Sequence, residues 1–299
     1  MYTDLYGLKW YKGNLHTHTN LSDGKVSFEE AVSRYRHAGF DFLGITDHWV
    51  PSEIPQETIT EDNFLLISGC EYDTSYLVPC GNVKRMVIIH INAIGFTSVP
   101  KLVKSPELRG QEIIDAIKAA GGIAIFNHPE WSRNLPSDIT DLHNLAGVEI
   151  FNTLCGCGEL HYDYSGFHVD QLALQGINLP VFASDDSHLY TGEEGRSFIM
   201  VQAESLSKDS ILEAINKGRF YASRGPWLRT ELKERTLKVT CTPVMEILVY
   251  SNRYGGYAKK STTPVTGAEF QLAESDYFYR VEVIDRDGNM AWTSPVGVG

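Results

Sequence analysis

The chain has 299 residues, 42% of them hydrophobic and 21% charged, enough apolar content for one large core or a large domain with a smaller companion. Its net charge of −12 excludes a nonspecific nucleic-acid or membrane-surface binder, because such proteins draw affinity from basic surface. Five scattered cysteines (Cys70, Cys80, Cys155, Cys157 and Cys241) form no disulfide framework, and no segment reads as a signal peptide or membrane span, so a cytoplasmic location is expected.

In chain order, the stretch "GNLHTHTNLSDG" (13–24) comes first and reads as a short strand ending in a Ser-Asp-Gly turn. Taken alone, its His16 and His18 are ordinary polar residues on one face of that strand. The segment "SFEEAVSRYRHAGF" predicts a helix with a capping box at Ser27 and Glu30, an apolar stripe of Ala31, Val32, Tyr35 and Ala38, and Gly39 as its stop. Further helices are expected at "QEIIDAIKAAGG" and "KDSILEAINKG", each closed by glycine. Between and around them, "LGITDH", "FLLISGCEY", "MVIIHINAIG", "GIAIFNHP", "GVEIFN", "PVFASDDSH" and "SFIMVQA" read as buried strands. Such alternation predicts a mostly parallel sheet closing, or nearly closing, into a barrel over residues 1–225. After Gly225 the pattern becomes strand and turn only, with "TLKVTCT", "MEILVYS", "AEFQLA", "YFYRVEVID" and the turn signal "DRDGNM". A small β-sandwich-like domain is expected over 226–299.

In a parallel α/β barrel, reactive groups collect at the C-terminal ends of the strands. His16 and His18, His48, Glu71, His90, His128, and Asp186 with His188 all fall at such ends, and Asp23 follows in the first turn. Six of the ten histidines would thus crowd one rim beside three carboxylates. Uncompensated, that crowd would carry repulsion and desolvation costs, which bound cations remove. Imidazole nitrogen and carboxylate oxygen suit first-row metals, at about 2.0 to 2.2 Å for zinc, and serve manganese, iron and zinc alike. A polynuclear metal site follows.

The ordered set "HTHTNLSDG", "TDH", "GCE", "IIH", "NHP" and "DDSH" resembles the polymerase and histidinol phosphatase (PHP) superfamily of metal-dependent phosphoesterases, over roughly residues 10 to 225. That resemblance implies a distorted (β/α)7 TIM-like barrel holding three divalent metal ions, Mn, Zn or Fe. It implies one ion on His16, His18, Glu71 and Asp186, a second on Glu71, His90 and His128 with Glu71 bridging, and a third on Asp23, His48 and His188. Between Asp185 and Asp186, Asp186 is taken as the ligand because it stands two before His188, as in the family's DxH pattern. The run "GRFYASRGP" leading into a β-rich end is similar to relatives with an appended sandwich, a group that includes carbamate-cleaving hydrolases. No polymerase domain accompanies it.

Three divalent ions against three carboxylates leave an excess of about three positive charges, which attracts phosphate and acidifies a bound water toward a pKa of about 7. The expected activity is hydrolysis of a small phosphorylated metabolite or nucleotide, with hydrolysis of carbamates or carboxyl esters at the same metals as the alternative. Arg133, Arg196, Arg224 and His161 are candidate substrate contacts, the first as a bidentate phosphate clamp. The long segment "NTLCGCGELHYDYSGFH" also offers Tyr162 and His168 to the leaving group. Glu149, Asn152 and Asp47 are expected to support the ligands from behind. Cys155 and Cys157 are too closely spaced, without a second pair, for a zinc motif.

Overall fold

A computed structural model describes residues 2–3, 7–52 and 63–299. Among the described residues the strands form two sheets, one of twelve strands and one of five. The smaller sheet runs Gly69–Cys80, Val83–Ile94, Ile123–Phe126, Leu145–Asn152 and Val181–Ser184. The larger sheet carries Leu65–Ile67, Phe42–Gly44 and Lys9–Asn14 at one end, then continues through Phe198–Gln202 and Phe220–Ser223 into the C-terminal strands.

The helices expected from the sequence are present. Helix α1 (Phe28–His37) starts where the Ser27 side chain accepts the Glu30 backbone N–H, and buries Ala31, Val32 and Tyr35. Ala38 takes the C-cap position and is exposed, so the apolar stripe is one residue shorter than expected. Helix α2 (Gly110–Ala119) buries Ile113, Ile114 and Ile117, while α3 (Ser137–Thr140) and α4 (Gly166–Ala173) lie where no helix was expected. Helix α5 (Lys208–Asn216) is capped by Ser207 and buries Ile211, Leu212, Ala214 and Ile215.

The fold is mixed α/β, but among the described residues the strands of the expected (β/α)7 TIM-like barrel do not close into a barrel. The two sheets are joined at the rim by isolated bridges between Thr17 and Ser187, His48 and Glu71, and Ser52 and Gly69. A physical cause lies in the pair Gly69–Cys80 and Val83–Ile94, which is an antiparallel hairpin of two twelve-residue strands turned at Gly81. A tight hairpin has no crossover helix, so the parallel repeat stops there. The close approach that lets this hairpin meet the neighbouring segment needs a glycine: a Cβ on Gly69 would sit 2.4 Å from the Ile45 carbonyl oxygen.

The β-sandwich-like unit expected after Gly225 does not stand apart from the rest. Trp292 pairs with Ala222 and Ala291 with Ser223, so the C-terminal strands extend the larger sheet. Their apolar cluster of Leu237, Val239, Ile247, Val281 and Val283 also takes in Trp10 and Tyr221 from before that boundary.

Candidate metal centre

The opening motif leaves strand Lys9–Asn14 and runs under the loop that follows Val181–Ser184. The His18 backbone N–H donates to the Ser187 carbonyl at 3.0 Å, and the Asp186 N–H donates to the His16 carbonyl at 3.0 Å. Alternation along an extended chain then points both imidazoles to one side, and both are fully buried. After Thr19 the chain turns tightly, with the Gly24 N–H on the Thr19 carbonyl at 2.9 Å. A Cβ at Gly24 would stand 2.6 Å from the His18 carbonyl oxygen. Asp47 pins this turn, accepting the Thr19 N–H at 2.8 Å, the Thr19 hydroxyl at 2.7 Å and the Ser22 hydroxyl at 2.6 Å. Its role is therefore to carry Asp23 into place, not to brace its neighbour His48.

Glu71 lies at the centre. Its Oε2 is 3.4 Å from His16 Nε2, 3.3 Å from His18 Nε2 and 3.2 Å from His48 Nδ1. Its Oε1 is 2.9 Å from His90 Nδ1 and 3.5 Å from His128 Nε2, and accepts the Asn127 amide at 2.7 Å. Asp186 Oδ1 lies 3.0 Å from His16 Nε2 and 3.1 Å from His18 Nε2. At the outer edge Asp23 Oδ1 is 3.3 Å from His188 Nε2, and its Oδ2 is 3.7 Å from His48 Nε2. All nine residues singled out as donors are thus brought together. The expected strand-end placement needs correcting for two of them: Glu71 lies near the start of Gly69–Cys80 and His90 inside Val83–Ile94, where the antiparallel register sets it opposite Asp73.

The surrounding groups decide which ring nitrogen faces inward. His16 Nδ1 is 2.7 Å from Glu149 Oε1, which leaves Nε2 toward the cluster. Glu149 is itself held by the Ser184 hydroxyl, the His128 backbone N–H at 2.9 Å and the Asn152 amide at 2.9 Å. His188 Nδ1 donates to the Asp186 carbonyl at 2.7 Å, and His128 Nδ1 meets the Ser132 hydroxyl at 3.1 Å, so the Nε2 atoms of both point inward. His128 and Asp186 hold positive φ angles of 28° and 54°, backbone strain of the kind that persists at over-determined functional sites.

Charge follows from this crowding. Burial resists ionisation of Glu71 and Asp186, but His16 and its neighbours outweigh it and hold both carboxyls well below the usual range. Burial opposes a charge on His188, yet Asp23 and Asp186 outweigh it and raise that imidazole to about 9. Against the effect of burial, His16 is raised by Asp186, Glu149 and Glu71, and His18 by Asp186 and Glu71. For His48 burial prevails and the shift is downward.

A cation fits this arrangement better than protons do. His16 Nε2, both nitrogens of His18, His48 Nδ1 and Asp186 Oδ1 are buried without a hydrogen bond of acceptable geometry, although oppositely charged partners stand close by. Lone pairs that converge on a shared point, not on each other, are what coordination requires. Four overlapping groups, each with donor atoms within 4.8 Å of one another, could hold an ion. They are His16, His18 and Asp186; His16, Glu71 and His128; His48, Glu71 and His90; and His18, Asp23, His48 and His188. Asp185 is different: it accepts the N–H groups of Gly195, Arg196 and Ser197, the Asn14 amide and the hydroxyls of Tyr35 and Thr153. Its burial pushes the carboxyl up to about 6 despite those donors.

A cleft of about 190 Å³ opens on the cluster, lined by seven of the nine donors together with Trp131, Leu154 and Cys155. Of the expected substrate contacts, Arg133, Arg196, His161 and Arg224, none lines it. Arg133 is exposed, pairs with Glu130 at 2.9 Å and lies over the Tyr162 ring, while the Arg224 guanidinium lies over Phe151. Arg196 and His161 are exposed. His168 is buried in α4 and donates from Nε2 to the Asn134 carbonyl at 2.8 Å. Sequence reasoning missed Trp131; the signal that could have found it is a large aromatic side chain only three residues after the donor His128. A larger hollow of about 680 Å³, walled by Phe198, Met200, Tyr221 and Trp227, lies elsewhere and holds no cluster of donors.

The PHP domain model matches residues 14–131, the span that supplies seven of the nine donors. No curated protein matches the chain significantly. Among solved structures, a two-domain protein from Bacteroides vulgatus, containing a predicted PHP-like metal-dependent phosphoesterase, aligns with a TM-score of 0.54 at 19% identity. That alignment covers 99% of this chain and 98% of the other. A protein from Bifidobacterium adolescentis assigned as a metal-dependent phosphoesterase aligns at 0.43 and 16%, covering 68% of this chain and 94% of that one. An amidohydrolase from Chromobacterium violaceum, solved with sulfate and no metal, aligns at 0.41 and 14%, covering 70% and 96%. Residues 14–131 thus match the PHP domain, and the chain shares its fold with the first of these structures.

Proposed function

We propose that this protein is a metal-dependent phosphoesterase acting on a small molecule at a three-ion site. The observation that carries the reading is the set of buried, hydrogen-bond-deficient imidazole nitrogens aimed at shared carboxylates beside an open cleft. His16, His18, Glu71 and Asp186 would hold one ion, Glu71, His90 and His128 a second, and Asp23, His48 and His188 the third. Divalent ions bound there supply Lewis-acid polarisation of the ester and acidify water at neutral pH. The chain does the rest. Glu71 offers one oxygen to each side of the cluster, the geometry of a bridging carboxylate. Glu149 fixes the ring of His16, and the Asp186 carbonyl fixes that of His188, so that neither needs to reorient on loading. The Asn127 and Asn152 amides neutralise the outward lone pairs of Glu71 and Asp186.

A second reading is hydrolysis of a carbamate or carboxyl ester. It is favoured by the cleft lining, which among the described residues contains no lysine or arginine to meet phosphate oxygens. The test is to reconstitute the protein with manganese, zinc or iron, measure metal content, and screen phosphate mono- and diesters beside an aryl carbamate. The expected result is two or more metal equivalents and hydrolysis of at least one phosphate ester, lost in Glu71→Ala. Metal-loaded protein inactive on every phosphate ester but active on the carbamate would replace the leading reading with the second.

A further inference from the structure

The wall of the cleft says something about the part of the substrate that does not react. Trp131 lies edge-on to two donor imidazoles, with ring centroids 5.0 Å from His128 and 6.0 Å from His90, and keeps 46% of its surface exposed. Leu154 and Cys155 complete the apolar lining. Burial, and then the carboxylates of Asp186 and Glu149, push the Cys155 thiol far up, so it presents a neutral surface. At about 190 Å³ the space is below the roughly 300 to 1,000 Å³ usual for ligand pockets. An aromatic surface in contact with the donor shell leaves no room for a sugar between the reacting centre and the group that Trp131 meets.

We infer that the cleft selects an ester in which a single uncharged planar ring is carried on the ester oxygen at the reacting centre, with Trp131 as the specificity-determining residue. This rests on the hydrolase reading for its chemistry but on Trp131, Leu154 and Cys155 for its selectivity. A nucleotide would put its base beyond the wall, and a sugar phosphate would bring hydroxyl groups against the apolar wall of Trp131, Leu154 and Cys155. Ring stacking on an exposed tryptophan discriminates by about tenfold.

The test uses two non-hydrolysable probes, phenylphosphonate and methylphosphonate, titrated calorimetrically into metal-loaded protein, together with kcat/KM for phenyl phosphate, glycerol phosphate and adenosine monophosphate. Phenylphosphonate is expected to bind about tenfold more tightly than methylphosphonate, and phenyl phosphate to be the best of the three esters. That gap should collapse in Trp131→Ala and return largely in Trp131→Phe. Equal affinity for the two phosphonates, a gap that survives Trp131→Ala, or a preference for glycerol phosphate or the nucleotide would overturn the inference. Aryl-selective binding without hydrolysis of any ester would sink the hydrolase reading while supporting the selectivity. Hydrolysis without aryl preference would do the reverse.

Discussion

Around Arg280 every buried charge has a partner, whereas around Glu71 five imidazoles press on one carboxylate and five polar atoms of the cluster lack a hydrogen bond. In the first region the guanidinium makes a two-pronged pair with Asp170, at 2.6 and 2.8 Å, and lies 3.9 Å from the Tyr250 ring. Its third nitrogen faces Glu282 at 3.4 Å, and Glu282 also accepts from the Tyr164 hydroxyl and the Trp292 indole. That cluster fastens α4 to strand Phe278–Ile284, and with it the loop that brings Leu154 and Cys155 to the cleft. Both regions bury charge; only one matches its own donors and acceptors in full. A polar cluster satisfied from within serves the fold, and one left open in a shared direction is ready for a ligand.

The sharpest break of this contrast is Arg280→Met, which removes the countercharge of Asp170 and Glu282. We expect a loss of about 3 to 5 kcal/mol in urea denaturation, with metal equivalents per folded chain unchanged. If metal content fell in step with stability, the two regions would not be separable.

Metal itself should act on the other region alone. At a free concentration a hundred times its dissociation constant, each independently bound ion adds about 2.7 kcal/mol, read as a chelator-reversible rise in the denaturation midpoint. The sign with pH follows from His188, whose imidazole keeps its proton up to about 9 in the metal-free chain and must surrender it to coordinate. Uptake should therefore tighten as pH is raised toward that value and should release protons into a weakly buffered solution. Affinity that does not depend on pH would remove His188 from the donor set.

A smaller effect is expected from Glu149→Gln, which keeps the shape but weakens the acceptor on His16 Nδ1. Metal affinity should fall by about 10- to 100-fold, measured by competition with a chelator. If stability falls instead, with affinity preserved, Glu149 belongs with the Arg280 type of cluster.

Much of the donor set is legible in the amino-acid sequence alone. His16 and His18 stand two apart in an extended segment, so they share a face wherever the strand goes. The caps of α1 and α5 are legible because a serine hydroxyl and a backbone N–H three residues on are neighbours in any helix start. Helix α4 is hidden: it is short, and its buried His168 reads as a loop residue of the active rim. The arginines mislead for a related reason. Arg133 follows a donor motif closely in sequence, but its positive φ of 56° turns the chain, and its side chain pairs with Glu130 outside the cleft.

The sequence by itself determined which chemistry was possible, through the count and kind of imidazole and carboxylate groups and their position near strand boundaries. Only the tertiary structure decided strand direction, and with it that Glu71, opposite Asn92, and His90, opposite Asp73, meet diagonally across an antiparallel hairpin and not at two parallel ends. It also divided two adjacent aspartates, giving Asp185 six hydrogen-bond donors and leaving Asp186 to the imidazoles. Side-chain type and local periodicity are properties of a few neighbouring residues. Convergence at a point depends on how segments as far apart as His16 and His188 are brought together, which burial of the two sheets enforces and no short stretch encodes.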